Sequence, residues 1–202
     1  ALPITEIAKA SRRPENIVGM HYFSPVEKML LLEVIRTKIT SQEALSRAVQ
    51  AGIRQGKAVI VVGDSPGFYT TRILAAFLDE AVTCLMEGLE LRPLEEAMKD
   101  FGFPVGPVTL LDEVGIDTAS KIATDLAAAF GSAIQGTEVP FLQTMATRGY
   151  TGRKGGKGFW LYDSEKKTSG NGLGLLKWIG AIGKSKKKTP SPEVLELIQS
   201  LK

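Results

Sequence analysis

A carboxylate lies in the middle of an apolar run, and this feature limits how the amino-terminal part of the chain can fold. Residues 30–35 are apolar except for Glu33. A second apolar run, residues 17–20, precedes them and ends at His21, the only histidine in the 202 residues. Burying an ionised carboxylate costs several kcal/mol unless the charge is paired. Glu33 therefore needs a partner, and the neighbouring run supplies His21.

The spacing of the two runs predicts their register. Two β-type runs separated by a proline-containing turn are typical of adjacent antiparallel strands. With the turn centred near Glu27, His21 and Glu33 lie equally far from its centre and face each other. Opposed residues have Cβ atoms about 4.5–5.5 Å apart, so the carboxylate can accept one ring proton, fix the tautomer and make the other nitrogen a better base. The pattern alone leaves a structural histidine and a catalytic base both open.

The composition indicates a globular protein of one or two domains and argues against several classes. The net charge of +3 is too small to indicate a nucleic-acid partner, and no apolar run reaches the roughly 18 residues of a membrane-spanning helix. With one histidine and one cysteine, Cys84, neither a disulfide framework nor a His/Cys metal site is expected. Cys84 is interpreted as a small buried residue of a helix.

The first 63 residues predict the end of an α/β domain. A short helix over residues 3–10 precedes the two strands. A helix over residues 42–55, capped by Ser41, follows them. The continuous apolar run 58–62 is typical of a strand in a covered sheet. Strand, helix and strand in this order predict an α/β arrangement.

After residue 63 the pattern changes to helices. Residues 64–66 predict the N-cap and first turn of a long helix that reaches about residue 87. Further elements are predicted as helices over 94–101, 108–114, 117–130 and 139–148, and as a short strand over 159–162. We therefore assign residues 1–63 to the α/β part, 64–163 to a helical domain, and 164–202 to a linker with the start of a following segment.

The glycine-rich basic run at residues 152–158 is open to two interpretations. It is either a phosphate-binding loop or a basic loop before an anchoring aromatic segment. A dinucleotide fingerprint follows a strand and opens a helix, and this run does neither. No Gly-x-Gly-x-x-Gly motif follows a strand elsewhere in the chain.

Several motifs, in order and at consistent spacing, resemble those of the 3-hydroxyacyl-CoA dehydrogenases. They are Gly-Met-His-Tyr-Phe-Ser-Pro-Val at 19–26, Glu33, Asp-Ser-Pro-Gly-Phe-Tyr-Thr-Thr-Arg at 64–72, Phe-Pro-Val-Gly-Pro at 103–107, Leu-Asp-Glu-Val-Gly at 111–115 and Gly-Arg-Lys-Gly-Gly-Lys-Gly-Phe at 152–159. The resemblance covers about residues 1–163. It implies the last strands of a Rossmann-type NAD-binding domain followed by the family's helical C-terminal domain.

The resemblance also implies roles for five residues. His21 is expected to take the proton of the substrate's 3-hydroxyl while C3 gives hydride to NAD. Glu33 is expected to orient His21 and stabilise its imidazolium. Thr71 is expected to contact the substrate, and Ser24 and Lys154 the cofactor. Thr71 and Ser24 stand where single-function members carry asparagine.

Partners and location follow from the same resemblance. It implies an acyl-CoA substrate, self-association through the helical domain and membership of a multienzyme β-oxidation complex. Because the motifs are most similar to those of mitochondrial multifunctional enzymes, a mitochondrial location is expected. The family's glycine-rich turn is expected before residue 1, so we interpret the chain as a fragment without turnover of its own. The alternative is a non-catalytic helical association module. A β-hydroxyacid dehydrogenase with a lysine base is disfavoured by the His–Glu pair.

Overall fold

The computed structural model describes residues 2–131, 138–162 and 189–200. The described chain forms two compact units that divide between Arg72 and Ile73. Within the described residues, no helix is both long and apolar enough to cross a membrane.

The amino-terminal unit is built on a three-stranded sheet. Its elements are α1 (Ile4–Lys9), β1 (Gly19–Tyr22), β2 (Leu31–Arg36), α2 (Gln42–Arg54) and β3 (Ala58–Gly63). The strand order is β1-β2-β3, with β1 antiparallel and β3 parallel to β2. Ser41 caps α2 by accepting a hydrogen bond from the Ala44 amide at 3.2 Å. The predicted order of strand, helix and strand is confirmed.

Helix α2 covers one face of this sheet. Leu32 and Val34 of β2 are buried against Leu45 of the helix. At Gly52, a Cβ atom would lie 2.6 Å from the Leu32 side chain and 2.7 Å from that of Val59. Glycine in the helix interior therefore permits the close approach of helix and sheet that seals this core.

Asp64 caps a different helix from the one predicted. Its two carboxylate oxygens accept hydrogen bonds from the backbone amides of Ile4, at 2.9 Å, and Thr5, at 2.7 Å, in the first turn of α1. The long helix α3 (Thr70–Met86) begins later than residues 64–66 predict, because the backbone at Phe68 takes a φ of 45°. The expectation that Asp64 opens the long helix is wrong. The carboxylate satisfies amides that are distant in sequence.

The carboxyl-terminal unit is mostly helical, as predicted. Its elements after the start of α3 are α4 (Leu91–Phe101), α5 (Pro107–Val114), α6 (Ile116–Phe130), α7 (Glu138–Thr147), β4 (Trp160–Leu161), β5 (Thr189–Pro190) and α8 (Pro192–Ser200). Strands β4 and β5 pair antiparallel. The predicted helices and the short strand near residue 160 are confirmed, with ends that differ by a few residues.

Helix α8 belongs to the core of this unit. Val194, Leu197 and Ile198 are buried in the same apolar cluster as Phe141 and Phe159. These residues fall within 164–202, for which the sequence predicts a linker and the start of a following segment. The described part of that range departs from this prediction, because the apolar side chains of α8 pack against other residues of the helical unit itself.

Two buried carboxylates hold the helical unit together. Glu95 of α4 accepts hydrogen bonds from the Val108 and Thr109 amides, at 2.8 and 3.0 Å, and from the Thr109 hydroxyl at 2.6 Å. It thereby satisfies amides at the start of α5, which have no partner within their own helix.

Asp112 likewise accepts hydrogen bonds from backbone amides, in the segment around β4. It is fully buried and accepts hydrogen bonds from the amides of Phe159 and Trp160, at 2.9 and 3.0 Å, and from the Tyr162 hydroxyl at 2.9 Å. Burial, with the nearby Asp112 carboxylate, raises the pKa of Tyr162, so its hydroxyl stays a donor. The aromatic segment is thus anchored through one side chain.

Replacing Asp112 with alanine should lower the free energy of unfolding of this unit by at least about 3 kcal/mol. Two buried amides and a partly buried hydroxyl would lose their acceptor, at about 1–3 kcal/mol for each donor left unsatisfied. Urea unfolding followed by tryptophan fluorescence measures the change. As a control, Asp125→Ala removes an exposed carboxylate and should change the value by no more than about 0.5 kcal/mol. Equal effects of the two substitutions would refute the anchoring role.

Candidate active site

His21 and Glu33 form a hydrogen-bonded pair across adjacent strands. They are directly opposed in the antiparallel ladder of β1 and β2. The Nδ1 atom of His21 lies 2.6 Å from Oε2 of Glu33. The register and the contact predicted from the sequence are both confirmed.

The second oxygen of Glu33 is satisfied by the start of α3. Oε1 accepts hydrogen bonds from the Tyr69 amide at 3.1 Å, the Thr70 amide at 2.8 Å and the Thr70 hydroxyl at 3.0 Å. Glu33 is 0% exposed. The carboxylate therefore connects three segments of the chain, namely β1, β2 and the beginning of α3.

A tight turn before α3 brings these donors to Glu33. The Phe68 amide donates to the Ser65 carbonyl at 2.9 Å. Gly67 and Phe68 follow each other with φ values of 70° and 45°. A positive φ is uncommon outside glycine and carries a cost of about 1–3 kcal/mol. Phe68 is held in it by burial of its ring, and the turn directs the following amides at Glu33.

These contacts keep Glu33 ionised. Burial alone would raise the pKa of its carboxyl group. The Thr70 amide, the His21 ring, the Thr70 hydroxyl and the Tyr69 amide together outweigh burial and lower the pKa. Because ionised Glu33 is only an acceptor, the neutral ring of His21 must carry its proton on Nδ1. The Nε2 atom is then the unprotonated nitrogen.

The His21 ring presents that nitrogen at a partly open surface. Its side chain is 34% exposed. Phe23 packs edge-on against the ring at 4.8 Å between centroids, and Phe68 lies at 5.5 Å. Within the described residues, Nε2 makes no hydrogen bond. The ring is thus oriented on one side and available to a ligand on the other, which is the arrangement a general base needs.

The two residues expected near this pair lie in the same unit. Thr71 is half-buried in the first turn of α3, and it makes no hydrogen bond to His21 or Glu33 in the described chain. Ser24 is exposed in the connection between β1 and β2. Its hydroxyl makes no hydrogen bond to any described residue and is therefore available to a bound molecule.

Lys154 lies in the other unit and is already paired. It belongs to the short 3-10 turn Arg153–Gly155, and its Nζ lies 2.5 Å from Oδ1 of Asp117. The hydrogen bond from Lys154 lowers the pKa of Asp117. Arg153 of the same turn pairs with Glu113. The glycine-rich basic run is thus fastened to the ends of α5 and α6.

Sequence reasoning missed four contributors to the site. Thr70 and the Tyr69 amide bind Glu33, and the rings of Phe23 and Phe68 pack on His21. The resemblance singled out Thr71 in the run 64–72, one residue from the threonine that reaches Glu33. No sequence signal separates the two, because the turn at Phe68 decides which hydroxyl faces the sheet.

The residues present fit a nicotinamide cofactor in part. The parallel β2-α2-β3 unit has Rossmann-type connectivity, and an exposed serine hydroxyl lies three residues from His21. Lys154, by contrast, is committed to Asp117. Among the residues with described positions, no group of three potential metal ligands occurs.

Two family models match the chain, one after the other. The family model described as "3-hydroxyacyl-CoA dehydrogenase, NAD binding domain" matches residues 1–65. The model described as "3-hydroxyacyl-CoA dehydrogenase, C-terminal domain" matches residues 67–162.

Bacterial relatives correct one expectation. The fatty acid oxidation complex subunit alpha of Vibrio campbellii is 50% identical over 83% of the chain, and that of Vibrio cholerae is 49% identical over the same share. The chain spans 23% of the length of each relative. The mitochondrial location expected from the sequence is wrong, because the proteins that match at this identity are bacterial.

Solved structures share the fold. The (S)-3-hydroxybutyryl-CoA dehydrogenase of Ralstonia eutropha is 33% identical, with a TM-score of 0.77 over 81% of this chain and 58% of that one. The 3-hydroxybutyryl-CoA dehydrogenase of Escherichia coli is 27% identical, with a TM-score of 0.76 over 84% of this chain and 36% of that one. Because the two domain models of one family match in order over residues 1–65 and 67–162, the chain belongs to the 3-hydroxyacyl-CoA dehydrogenase family.

Proposed function

We propose that the protein carrying this chain is an NAD-dependent 3-hydroxyacyl-CoA dehydrogenase that oxidises the 3-hydroxyl of an acyl-CoA to a ketone. The observation that carries the proposal is the His21–Glu33 pair. It combines a buried, ionised carboxylate with a ring that is 34% exposed and whose second nitrogen makes no hydrogen bond to the described residues. Membership of the family supports the same reaction.

His21 acts as the general base. Nε2 takes the proton from the 3-hydroxyl, while the proton on Nδ1 remains hydrogen-bonded to Glu33. The positive charge that develops on the ring is stabilised by a carboxylate 2.6 Å away, in surroundings where charges interact more strongly than in water. NAD supplies the hydride acceptor when it is bound.

The same proposal gives roles to three further residues. Thr71 contacts the substrate through its hydroxyl. Ser24 contacts the cofactor, in keeping with its exposed and unpaired hydroxyl. Lys154 contacts the cofactor, a role that requires its Nζ to exchange the Asp117 carboxylate for the cofactor.

The protein is also proposed to self-associate through the helical unit and to work within a multienzyme assembly. The relatives in Vibrio are named subunits of a fatty acid oxidation complex. Phe101 is 80% exposed, and its ring is stacked on Phe103, which is stacked in turn on Phe77. Aromatic residues are enriched in protein interfaces relative to other surfaces.

His21→Ala in the full-length protein should lower kcat by roughly 10²–10⁴-fold, the usual contribution of a general base. Formation of NADH with a 3-hydroxyacyl-CoA substrate measures the rate. Tyr22→Phe is the matched control. Among the described residues the Tyr22 hydroxyl donates to Gln55 alone, so loss of this hydroxyl should leave kcat unchanged. An unaltered kcat in His21→Ala would remove His21 from the mechanism.

Ionised Glu33 should also make the stability of its unit depend on pH. Its pKa is lowered in the folded state from an ordinary value of 4.5. Its contribution to stability is therefore fully present above pH 4.5 and is lost as the pH falls through the lower folded-state pKa. Urea unfolding between pH 6 and pH 3 should show a shallower acid decline in Glu33→Gln than in the wild type. Glu43→Gln, at an exposed position, should decline like the wild type, and a wild-type slope in Glu33→Gln would contradict this account.

Self-association should depend on Phe101. Sedimentation of the chain at high micromolar concentration should show a dimer or larger species, and Phe101→Ser should shift it toward monomer. Leu30→Ser, which removes an apolar side chain 66% exposed in the other unit, is the control and should leave the distribution unchanged. A wild-type chain that sediments only as monomer would rule out association through this surface.

A further inference from the structure

Thr70 contacts Glu33 twice, through its backbone amide at 2.8 Å and its hydroxyl at 3.0 Å. We propose that Thr70 is a positioning residue for His21, and that its hydroxyl holds the Glu33 carboxylate in the orientation that presents Oε2 to Nδ1. The expected effect on catalysis rests on the proposed function of His21 as the base. The positioning of the Glu33 carboxylate by Thr70 does not depend on that proposal.

The two oxygens of Glu33 have separate tasks. Oε1 receives three hydrogen bonds, all from the turn before α3 and its first residue, whereas Oε2 receives one, from His21. Rotation of the carboxylate about its terminal bond would break the three bonds to Oε1 together. The donors at the start of α3 therefore fix the direction of Oε2, and hydrogen bonds to a charged acceptor are the stronger class.

The surroundings of Glu33 leave His21 as its titratable partner. From β1 comes the His21 ring, and from β3 the neutral side chain of Ile60 lies next in register. Tyr69 and Thr70 contribute two amides and a hydroxyl, all uncharged. Loss of the Thr70 hydroxyl is thus expected to affect the carboxylate and, through it, the proton on the His21 ring.

A second threonine–carboxylate contact in the chain serves as a control for Thr70 and Glu33. Thr109 at the start of α5 donates its amide and hydroxyl to the buried carboxylate of Glu95, at 3.0 and 2.6 Å. Thr109→Val removes a hydroxyl from a carboxylate in the same way as Thr70→Val. It does so in the other compact unit, at a carboxylate that does not contact a histidine. Stability effects are shared by both substitutions, whereas an effect on His21 is specific to Thr70.

The first test uses the single histidine of the chain, whose ring ¹⁵N NMR signals need no assignment. In the wild type they should report the Nδ1–H tautomer. In Thr70→Val the ratio of Nδ1–H to Nε2–H forms should fall about tenfold or more, the factor that corresponds to one hydrogen bond to a charged group. Thr70→Ser should restore the wild-type signals, and Thr109→Val should leave them unchanged. Wild-type His21 signals in a folded Thr70→Val chain would overturn the proposal.

The second test is kinetic and uses the full-length protein. Thr70→Val should lower kcat by about 10- to 100-fold with KM changed less than threefold, and Thr70→Ser should recover most of the loss. Equal losses of kcat in Thr70→Val and Thr109→Val would assign the effect to stability and overturn the positioning role. If His21→Ala leaves kcat unchanged while Thr70→Val alters the His21 signals, the proposed function fails and the positioning stands.

A measurement on the wild type decides the case if Thr70→Val does not fold. A hydroxyl proton bound to a buried carboxylate exchanges slowly with water and becomes visible in NMR spectra at low temperature. The Thr70 hydroxyl proton should be seen, with a through-space (NOE) cross-peak to the Nδ1–H proton of His21, because both protons lie against the same carboxylate. Detection of the Thr109 hydroxyl proton without that of Thr70 would overturn the proposal.

Discussion

The buried carboxylate of Glu33 is the contact on which the amino-terminal unit and its candidate site depend. A charge without access to water is tolerated only when it is fully hydrogen-bonded. Here four donors from two other segments satisfy it. The same four bonds join β1 to β2 and fix where α3 begins. One ionised side chain thus orients the proposed base and holds the chain segments around it.

Three other carboxylates bind backbone amides that are distant in sequence. Asp64 satisfies the first amides of α1, Glu95 those of α5, and Asp112 the amides around β4. In each case the acceptor is well separated in sequence from the donors it serves. Helix starts leave amides without partners. Asp64 and Glu95 accept from such amides, Asp112 accepts from amides at a strand, and all three join distant parts of one unit. Local capping by Ser41 is the more familiar solution, but it joins nothing beyond its own helix.

The strand register, most of the helices and the family were predictable from the sequence. The apolar run around Glu33, the single histidine and the proline-containing turn were enough for the register of β1 and β2, because side chains in strands alternate and a slip of one residue would put Glu33 and His21 on opposite faces. The helical periods beyond residue 63 predicted α4 to α7 within a few residues. The motifs of the 3-hydroxyacyl-CoA dehydrogenases pointed to the family. They also suggested a mitochondrial location, which bacterial relatives contradict, because similarity in a catalytic motif carries no information about compartment.

The sequence by itself determined the pairing of His21 with Glu33, since a carboxylate in an apolar strand admits few partners. Only the tertiary structure decided that Thr70 rather than Thr71 reaches that carboxylate, because the turn at Phe68 sets which hydroxyl points inward. It also decided that Asp64 serves α1 and that α8 completes the helical core. These contacts join residues far apart along the chain, and no local pattern encodes which of several suitable partners will be brought within reach.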